Sequence, residues 1–199
     1  MRSLGIWLVG GAAVLLTAAC SETAPPPAQA TPAAAATPAP SPVERGKYLV
    51  AAGACNDCHT PMKMGANGPE PDMSRMLSGH PESMKVDKPP KLDGPWMAAA
   101  SNTFTAWAGP WGISYTANLT PDQNTGLGIW TEDMFIKAIR EGKHMGTSRP
   151  ILPPMPWPAF RNYSDEDLKA IFAYLKSIPP VVNHVPDPIL AAPPKAPAK

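Results

Sequence analysis

The chain has 199 residues and a formal net charge of +1, so it lacks the strong field that would hold a nucleic acid or an anionic membrane by charge alone. Proline accounts for 28 residues and is abundant at both ends, which excludes one uniformly packed globule over the full length. The length therefore suits one folded domain of ordinary size with extended arms on either side.

Residues 1–19 have the pattern of an export signal peptide. Arg2 gives the positive start, and the apolar run Ile6–Ala19 is too short and too rich in small residues to remain as a membrane span. We therefore expect the mature protein to lie in an exported compartment, at the periplasmic face of a membrane.

Cys20 directly follows the small residues that end this signal, an arrangement that resembles the lipid-attachment box of bacterial lipoproteins. An ordinary cleaved signal with an incidental cysteine is the alternative. Lipidation is favoured because it accounts for an otherwise free exported thiol. Ser21 after the cysteine resembles the pattern of Gram-negative lipoproteins sent to the outer membrane.

Segments rich in Pro and Ala flank the predicted domain. Residues 20–42 cannot build a core and predict an extended linker, which would reach about 60 Å at about 3 Å per residue. Residues 181–199 are similar in composition and predict a disordered tail. The folded domain is therefore expected at residues 43–180.

Three helices are predicted within this domain, each preceded by a capping Ser or Thr. The first begins after Ser41 and runs to about Ala54, the second spans Glu132–Glu141, and the third begins after Ser164 and ends before Pro179. Between positions 60 and 131 there is little periodicity apart from a short helix expected near 71–77. The fold class expected is mostly α, with few helices and long irregular loops that wrap a large flat ligand.

The pattern Cys55-Asn56-Asp57-Cys58-His59 carries the chemistry. It is typical of covalent haem c attachment, because two thiols so spaced can join the two vinyl groups on one porphyrin edge. The histidine that follows is then placed to bind the iron. A zinc site, a redox dithiol and a structural disulfide are the alternatives. The pattern occurs once, so one haem is predicted.

Met155 is the predicted second axial ligand. Prolines at both sides stiffen the loop 152–158, which precedes the last helix and would hold the thioether against the iron. Met145 and His144 are alternatives, the latter giving a bis-histidine haem. His80 and His184 are expected to face solvent or local partners.

With these motifs the chain resembles class I c-type cytochromes over about residues 43–180. The resemblance implies a close helix crossing at Gly46 with Tyr174 as its aromatic partner. It also implies that the carbonyl of Pro69 accepts the ring N–H of the proximal histidine, with Pro61 as a rival.

The chain between the haem-attachment pattern and Met155 is longer than in small mitochondrial-type cytochromes. Its segments resemble those of bacterial cytochromes, including subunits that accompany periplasmic dehydrogenases. Arg75 or Trp130 is a candidate donor to a haem propionate, while Trp107, Trp111 and Trp130 would alternatively only enlarge the core.

The function expected is electron transfer by one haem c with His/Met ligation, in a carrier that is not itself an enzyme. Expected partners are a dehydrogenase, a terminal oxidase or other cytochromes, together with the membrane through Cys20, and no nucleic acid. A peroxidase-like haem enzyme or a haem-based ligand sensor is the alternative, and either would need an open or weakly held sixth position.

Overall fold

The computed structural model of the chain describes residues 38–86 and 88–192. The expected signal peptide, Cys20 and most of the linker lie outside the described residues. Five α-helices are numbered in chain order: α1 Pro42–Ala52, α2 Cys55–His59, α3 Glu132–Glu141, α4 Trp157–Phe160 and α5 Asp165–Ser177. Within the described part of the chain, no helix is long and apolar enough to cross a membrane.

Helix α1 begins with the predicted capping box. The Ser41 hydroxyl accepts a hydrogen bond from the Glu44 N–H, and the Glu44 carboxylate accepts one from the Ser41 N–H at 2.8 Å. The helix ends at Ala52, two positions before the expected end. Ala54 takes a left-handed conformation with φ 55°, which breaks the helix and starts α2.

The other two predicted helices have the expected caps. Thr131 accepts a hydrogen bond from the N–H of the third residue of α3, and Gly142 closes that helix with φ 67°. Ser164 caps α5 in the same way, and α5 ends before the Pro179-Pro180 pair. Local sequence therefore determines where these helices begin and end.

Helices α1 and α5 cross in direct backbone contact, as the resemblance implied. Gly46 is buried there, and a Cβ atom added to it would lie 1.9 Å from the carbonyl oxygen of Ala170 and 2.8 Å from the Cβ of Tyr174. Arg45 adds an ion pair to Asp167 at 2.9 Å on the rim of the crossing. Only glycine permits this separation of the two helices.

Short strands occur in the region expected to be irregular and in the expected tail, so the expectation of a mostly α fold is only partly right. The strands are β1 Met62–Gly65, β2 Gly68–Pro71, β3 Ala99–Ala100, β4 Ala106–Gly109, β5 Gly112–Tyr115 and β6 Ile189–Leu190. Strands β1 and β2 form one hairpin, and the others form an antiparallel sheet in the order β3-β4-β5-β6. Strands of two to four residues are too short to produce a recognisable alternation. A 3₁₀ turn at Met73–Arg75 replaces the helix expected near 71–77.

The expectation of a disordered tail from residue 181 is wrong for residues 181–192. Asn183 is only 2% exposed, and its side chain donates to the carbonyls of Ser78 and His80 at 2.7 and 2.9 Å. Strand β6 then pairs with β5. The composition suggested a solvated segment, but backbone pairing and one buried amide hold it to the domain.

The main core lies between α1, α3 and α5 and includes the loops that follow α2. Its buried members are Leu49, Val50, Leu77, Leu127, Phe135, Ile139, Leu168, Ala170, Ile171, Phe172, Leu175 and Ile178. Among the partly buried side chains packed against this core cluster are Cys55, Trp130 and Met155. The candidate haem-attachment helix and the candidate ligand loop therefore meet the same apolar cluster.

Candidate functional site

Helix α2 presents the three side chains of the predicted haem-attachment pattern. Cys55 and Cys58 are half-buried free thiols, and His59 is buried. Cys55 and His59 are four residues apart, so they lie on the same face of one helical turn.

The imidazole of His59 is held in one tautomer. Its Nδ1 lies 2.8 Å from the carbonyl oxygen of Ala117, and because a carbonyl only accepts, Nδ1 carries the proton and donates. Burial lowers the pKa of His59, although the Ala117 carbonyl acts in the opposite direction. Nε2 is left with a free lone pair, and no described residue forms a hydrogen bond to it. A neutral imidazole oriented in this way is a suitable axial ligand for iron.

The carbonyl that accepts the ring N–H of His59 is not the one expected from the resemblance. Pro69 lies exposed in β2, opposite Met64, and the carbonyl of the rival Pro61 accepts the Asp72 N–H at 2.8 Å. Ala117 fills the role instead. The Gly68-Pro69 pair lies in the β1–β2 hairpin, so the role that the family's Gly-Pro motif implied for the Pro69 carbonyl is wrong for this chain.

The pKa values of the two thiols do not suit a redox dithiol. Burial raises the pKa of Cys55 to about 11 and also raises that of Cys58, with added contributions from the Asp57 charge. A redox dithiol needs a lowered thiol pKa instead. The described residues contain no group of three or more His, Cys, Asp or Glu side chains placed to hold a metal ion. Two unpaired thiols beside one oriented imidazole fit covalent haem attachment.

The predicted ligand Met155 lies half-buried against the core cluster, as Cys55 does. The loop before it is tied to the sheet, because the Ser114 hydroxyl donates to the carbonyl of Pro153 at 2.5 Å. The alternative Met145 sits in a 3₁₀ turn with φ 53° and is not among the described side chains packed on that cluster. Packing therefore favours Met155 over Met145.

His144 and Trp130 contact each other instead of acting separately. Their rings meet edge to face with centroids 5.3 Å apart, and Nδ1 of His144 lies 3.3 Å from the Ser148 hydroxyl. Burial lowers the pKa of His144, helped by the Arg149 charge. Trp130 also packs against the core cluster, so the core role considered for it is confirmed, while its propionate contact remains a prediction.

The remaining candidates have structural partners. Arg75 donates to the Asn183 side chain at 2.9 Å, and its contact with a propionate remains a prediction. His80 does not face solvent: it is fully buried between the Thr105 hydroxyl at 3.0 Å and the Met84 carbonyl at 2.9 Å. The indole N–H of Trp107 donates to the carbonyl of Phe104 at 3.1 Å, in the turn between β3 and β4.

Three residues that form hydrogen bonds to the candidate site or its loops were not predicted from the sequence: Ala117, Ser114 and Asn183. Ala117 acts through its backbone carbonyl, a group that every residue has. The side chains of Ser114 and Asn183 act on partners that lie 39 and about 100 positions away. No local pattern signals such contacts.

Comparison with known proteins agrees with this geometry. The family model described as Cytochrome c matches residues 43–179. A nicotinate dehydrogenase component of Pseudomonas putida is 32% identical over 144 residues, which are 72% of this chain and 9% of that protein. The gluconate 2-dehydrogenase cytochrome c subunit of Pantoea cypripedii is 32% identical over 142 residues, 71% of this chain and 24% of that protein. The fructose dehydrogenase cytochrome subunit of Gluconobacter japonicus is 30% identical over 133 residues, 67% of this chain and 20% of that protein. The chain thus spans a quarter or less of the length of these relatives.

Proposed function

Because this chain belongs to the cytochrome c family, we propose that it is a membrane-tethered respiratory electron carrier whose haem iron is held by His59 and Met155. As a cytochrome c it binds one haem covalently through Cys55 and Cys58. It transfers electrons and is not itself a catalyst.

The observation that carries the proposal is the bond from His59 Nδ1 to the carbonyl of Ala117 at 2.8 Å. This bond fixes the ring orientation and leaves Nε2 available to bind the iron. A histidine with a purely structural role would not require an available Nε2. The two thiols of the same helix stand beside it. Together they form the proximal side of a haem site.

Support for Met155 comes from its loop. The thioether packs on the core cluster that Cys55 also contacts, and the loop is tied to β5 through Pro153. A methionine ligand raises the reduction potential relative to a second histidine. His/Met ligation therefore suits a carrier that accepts electrons from a dehydrogenase.

The residues of the chain perform three tasks in this function. Haem bound at the site supplies reversible one-electron chemistry at its iron. Cys55 and Cys58 would hold the group covalently, His59 and Met155 would ligate its iron, and the core cluster would exclude water. With His59 and Met155 both bound to it, the iron would have no place for a small ligand, so the group would supply electron transfer and no substrate chemistry.

A dehydrogenase is the proposed electron donor. Nicotinate, gluconate and fructose dehydrogenases all contain subunits similar to this chain, although the chain covers only 9–24% of the length of each of these subunits. A terminal oxidase or another cytochrome would be the acceptor. The lipid proposed at Cys20 would hold the carrier at the periplasmic face, on the linker of residues 20–42.

Absorption spectroscopy tests the ligand pair. The protein is purified from membranes of cells that attach haem c, and its ferric spectrum is recorded for the far-red band that thioether coordination produces. Met155→Ala is expected to abolish the band, and Met145→Ala, the matched control, to leave it. A band that persists in Met155→Ala would assign the ligand elsewhere.

Carbon monoxide distinguishes the carrier from a haem enzyme or a sensor. A six-coordinate ferrous protein is expected to bind the gas slowly and weakly, whereas an open site binds it at once.

Fractionation tests the anchor separately: Cys20→Ala is expected to move the protein from the membrane to the soluble periplasmic fraction. Retention of this variant in membranes would disprove lipid attachment at that residue.

A further inference from the structure

Strand β5 and the residues directly after it contact both sides of the candidate haem site. The Ser114 hydroxyl donates to the Pro153 carbonyl at 2.5 Å, in the loop that carries Met155. Three positions later, the Ala117 carbonyl accepts the ring N–H of His59 at 2.8 Å. One short stretch of backbone is therefore bonded to both ligand-bearing segments.

This stretch is held in place along its length. It pairs with β4 and β6, and the Thr116 N–H continues the pairing by donating to the Thr105 carbonyl at 2.9 Å. On its other edge the His80 N–H donates to the Thr116 carbonyl at 3.0 Å. Gly79 allows that approach, because a Cβ there would lie 2.4 Å from the same carbonyl. A strand fixed on both edges is a rigid support.

The Ser114 hydroxyl is oriented toward the loop by a second partner. The indole N–H of Trp111 lies 3.2 Å from the Ser114 oxygen and can only donate to it. The hydroxyl hydrogen is therefore free to donate to Pro153, since the other acceptor within reach, the Trp107 carbonyl, lies farther away at 3.4 Å. Ser114 is 8% exposed, so little water competes for this bond.

We propose that Ser114 is a positioning residue for the sixth ligand: its hydrogen bond holds the loop so that the Met155 thioether stays on the iron. Pro153 is two residues before Met155, and the prolines around it make the loop stiff, so fixing one carbonyl restricts the thioether. This proposal rests on Met155 ligation, and it adds the group that keeps the ligand in place.

The test compares Ser114→Ala with Ser114→Thr, which retains the hydroxyl. Two quantities are followed in the haem-loaded protein: the temperature at which the far-red ferric band disappears, and the temperature at which helical circular dichroism is lost. In Ser114→Ala the band is expected to disappear well below the unfolding of the helices, and the reduction potential to fall. Ser114→Thr is expected to restore both values toward those of the natural protein.

The outcomes separate this proposal from the ligand assignment. One outcome is that Met155→Ala abolishes the band, while in Ser114→Ala the band is lost only when the helices unfold and the reduction potential is unchanged. This outcome overturns the positioning role alone. A band that survives Met155→Ala overturns the ligand assignment and the positioning role together. Should Ser114→Ala yield no haem protein, Trp111→Phe replaces it, because this change removes the indole N–H that orients the hydroxyl and keeps an aromatic ring at the position. The same two results then support or overturn the proposal.

Discussion

Gly46 of α1 and Ala170 of α5 approach so closely that a Cβ on Gly46 would lie 1.9 Å from the Ala170 carbonyl oxygen. The neighbouring atom belongs to helical backbone and cannot move aside as a flexible side chain would. The two helices that enclose the core cluster are thus set at a separation that only glycine allows.

Gly46→Ala is expected to destabilise the protein, although alanine is the better helix former. Overpacking costs about 1–3 kcal/mol or more, which exceeds the gain of about 0.5–1 kcal/mol from helix propensity. Urea unfolding of the haem-loaded protein measures the change. Lys47→Ala, at the adjacent exposed position, is the control and should shift the midpoint little. An unchanged stability in Gly46→Ala would mean that the crossing relaxes freely.

Asn183→Ala is expected to cost about 2–4 kcal/mol, because the change leaves buried partners unsatisfied. The amide oxygen accepts from Arg75 and from the Glu82 N–H, and the amide nitrogen donates to two carbonyls. Limited proteolysis should then cleave the chain within residues 181–192. Val182→Ala, at a side chain that is 78% exposed, is the matched control. If both variants resist protease equally, the amide does not hold this segment.

His80 is expected to make stability fall in acid. Burial lowers its pKa from the ordinary value of 6.5, with a smaller opposing effect from the Met84 carbonyl. The unfolded chain therefore binds a proton more readily than the folded one, and stability is lost as the pH falls below about 6.5 toward the folded-state pKa. Unfolding free energy measured against pH should show this slope in the natural protein and in His184→Gln, the exposed control. A slope that remains in His80→Gln would belong to other groups.

Gly79→Ala is expected to disturb the proximal side of the site without touching a ligand. The position has φ 77°, and a Cβ would meet the Thr116 carbonyl at 2.4 Å, next to the carbonyl that accepts from His59. Displacing this strand should weaken the bond to the imidazole, which makes the ring a less basic ligand and raises the reduction potential of the haem protein. Gly94→Ala tests backbone strain alone, since φ is 66° there but no atom lies within 4 Å. If Gly79→Ala and Gly94→Ala change the reduction potential equally, backbone strain alone explains the result.

The sequence by itself determined the features that depend on neighbouring residues. Capping boxes, acidic first turns and closing glycines act within a few positions, so the bounds of α3 and the start of α5 were predictable. The haem-attachment pattern is equally local, because one helical turn must bridge one edge of a porphyrin. The approach at Gly46 was predictable from the family resemblance.

Only the tertiary structure decided which groups meet across the chain. The proximal partner is the carbonyl of Ala117 and not that of Pro69, since any residue offers a carbonyl and only the folded path selects one. The strands are too short to leave a pattern, and the segment around Asn183 has the composition of a free tail although buried bonds hold it in place. Hydrogen bonds between residues far apart in sequence have no local signature, and for that reason Ser114 emerged as a positioning residue only once the fold had brought β5 against the Met155 loop.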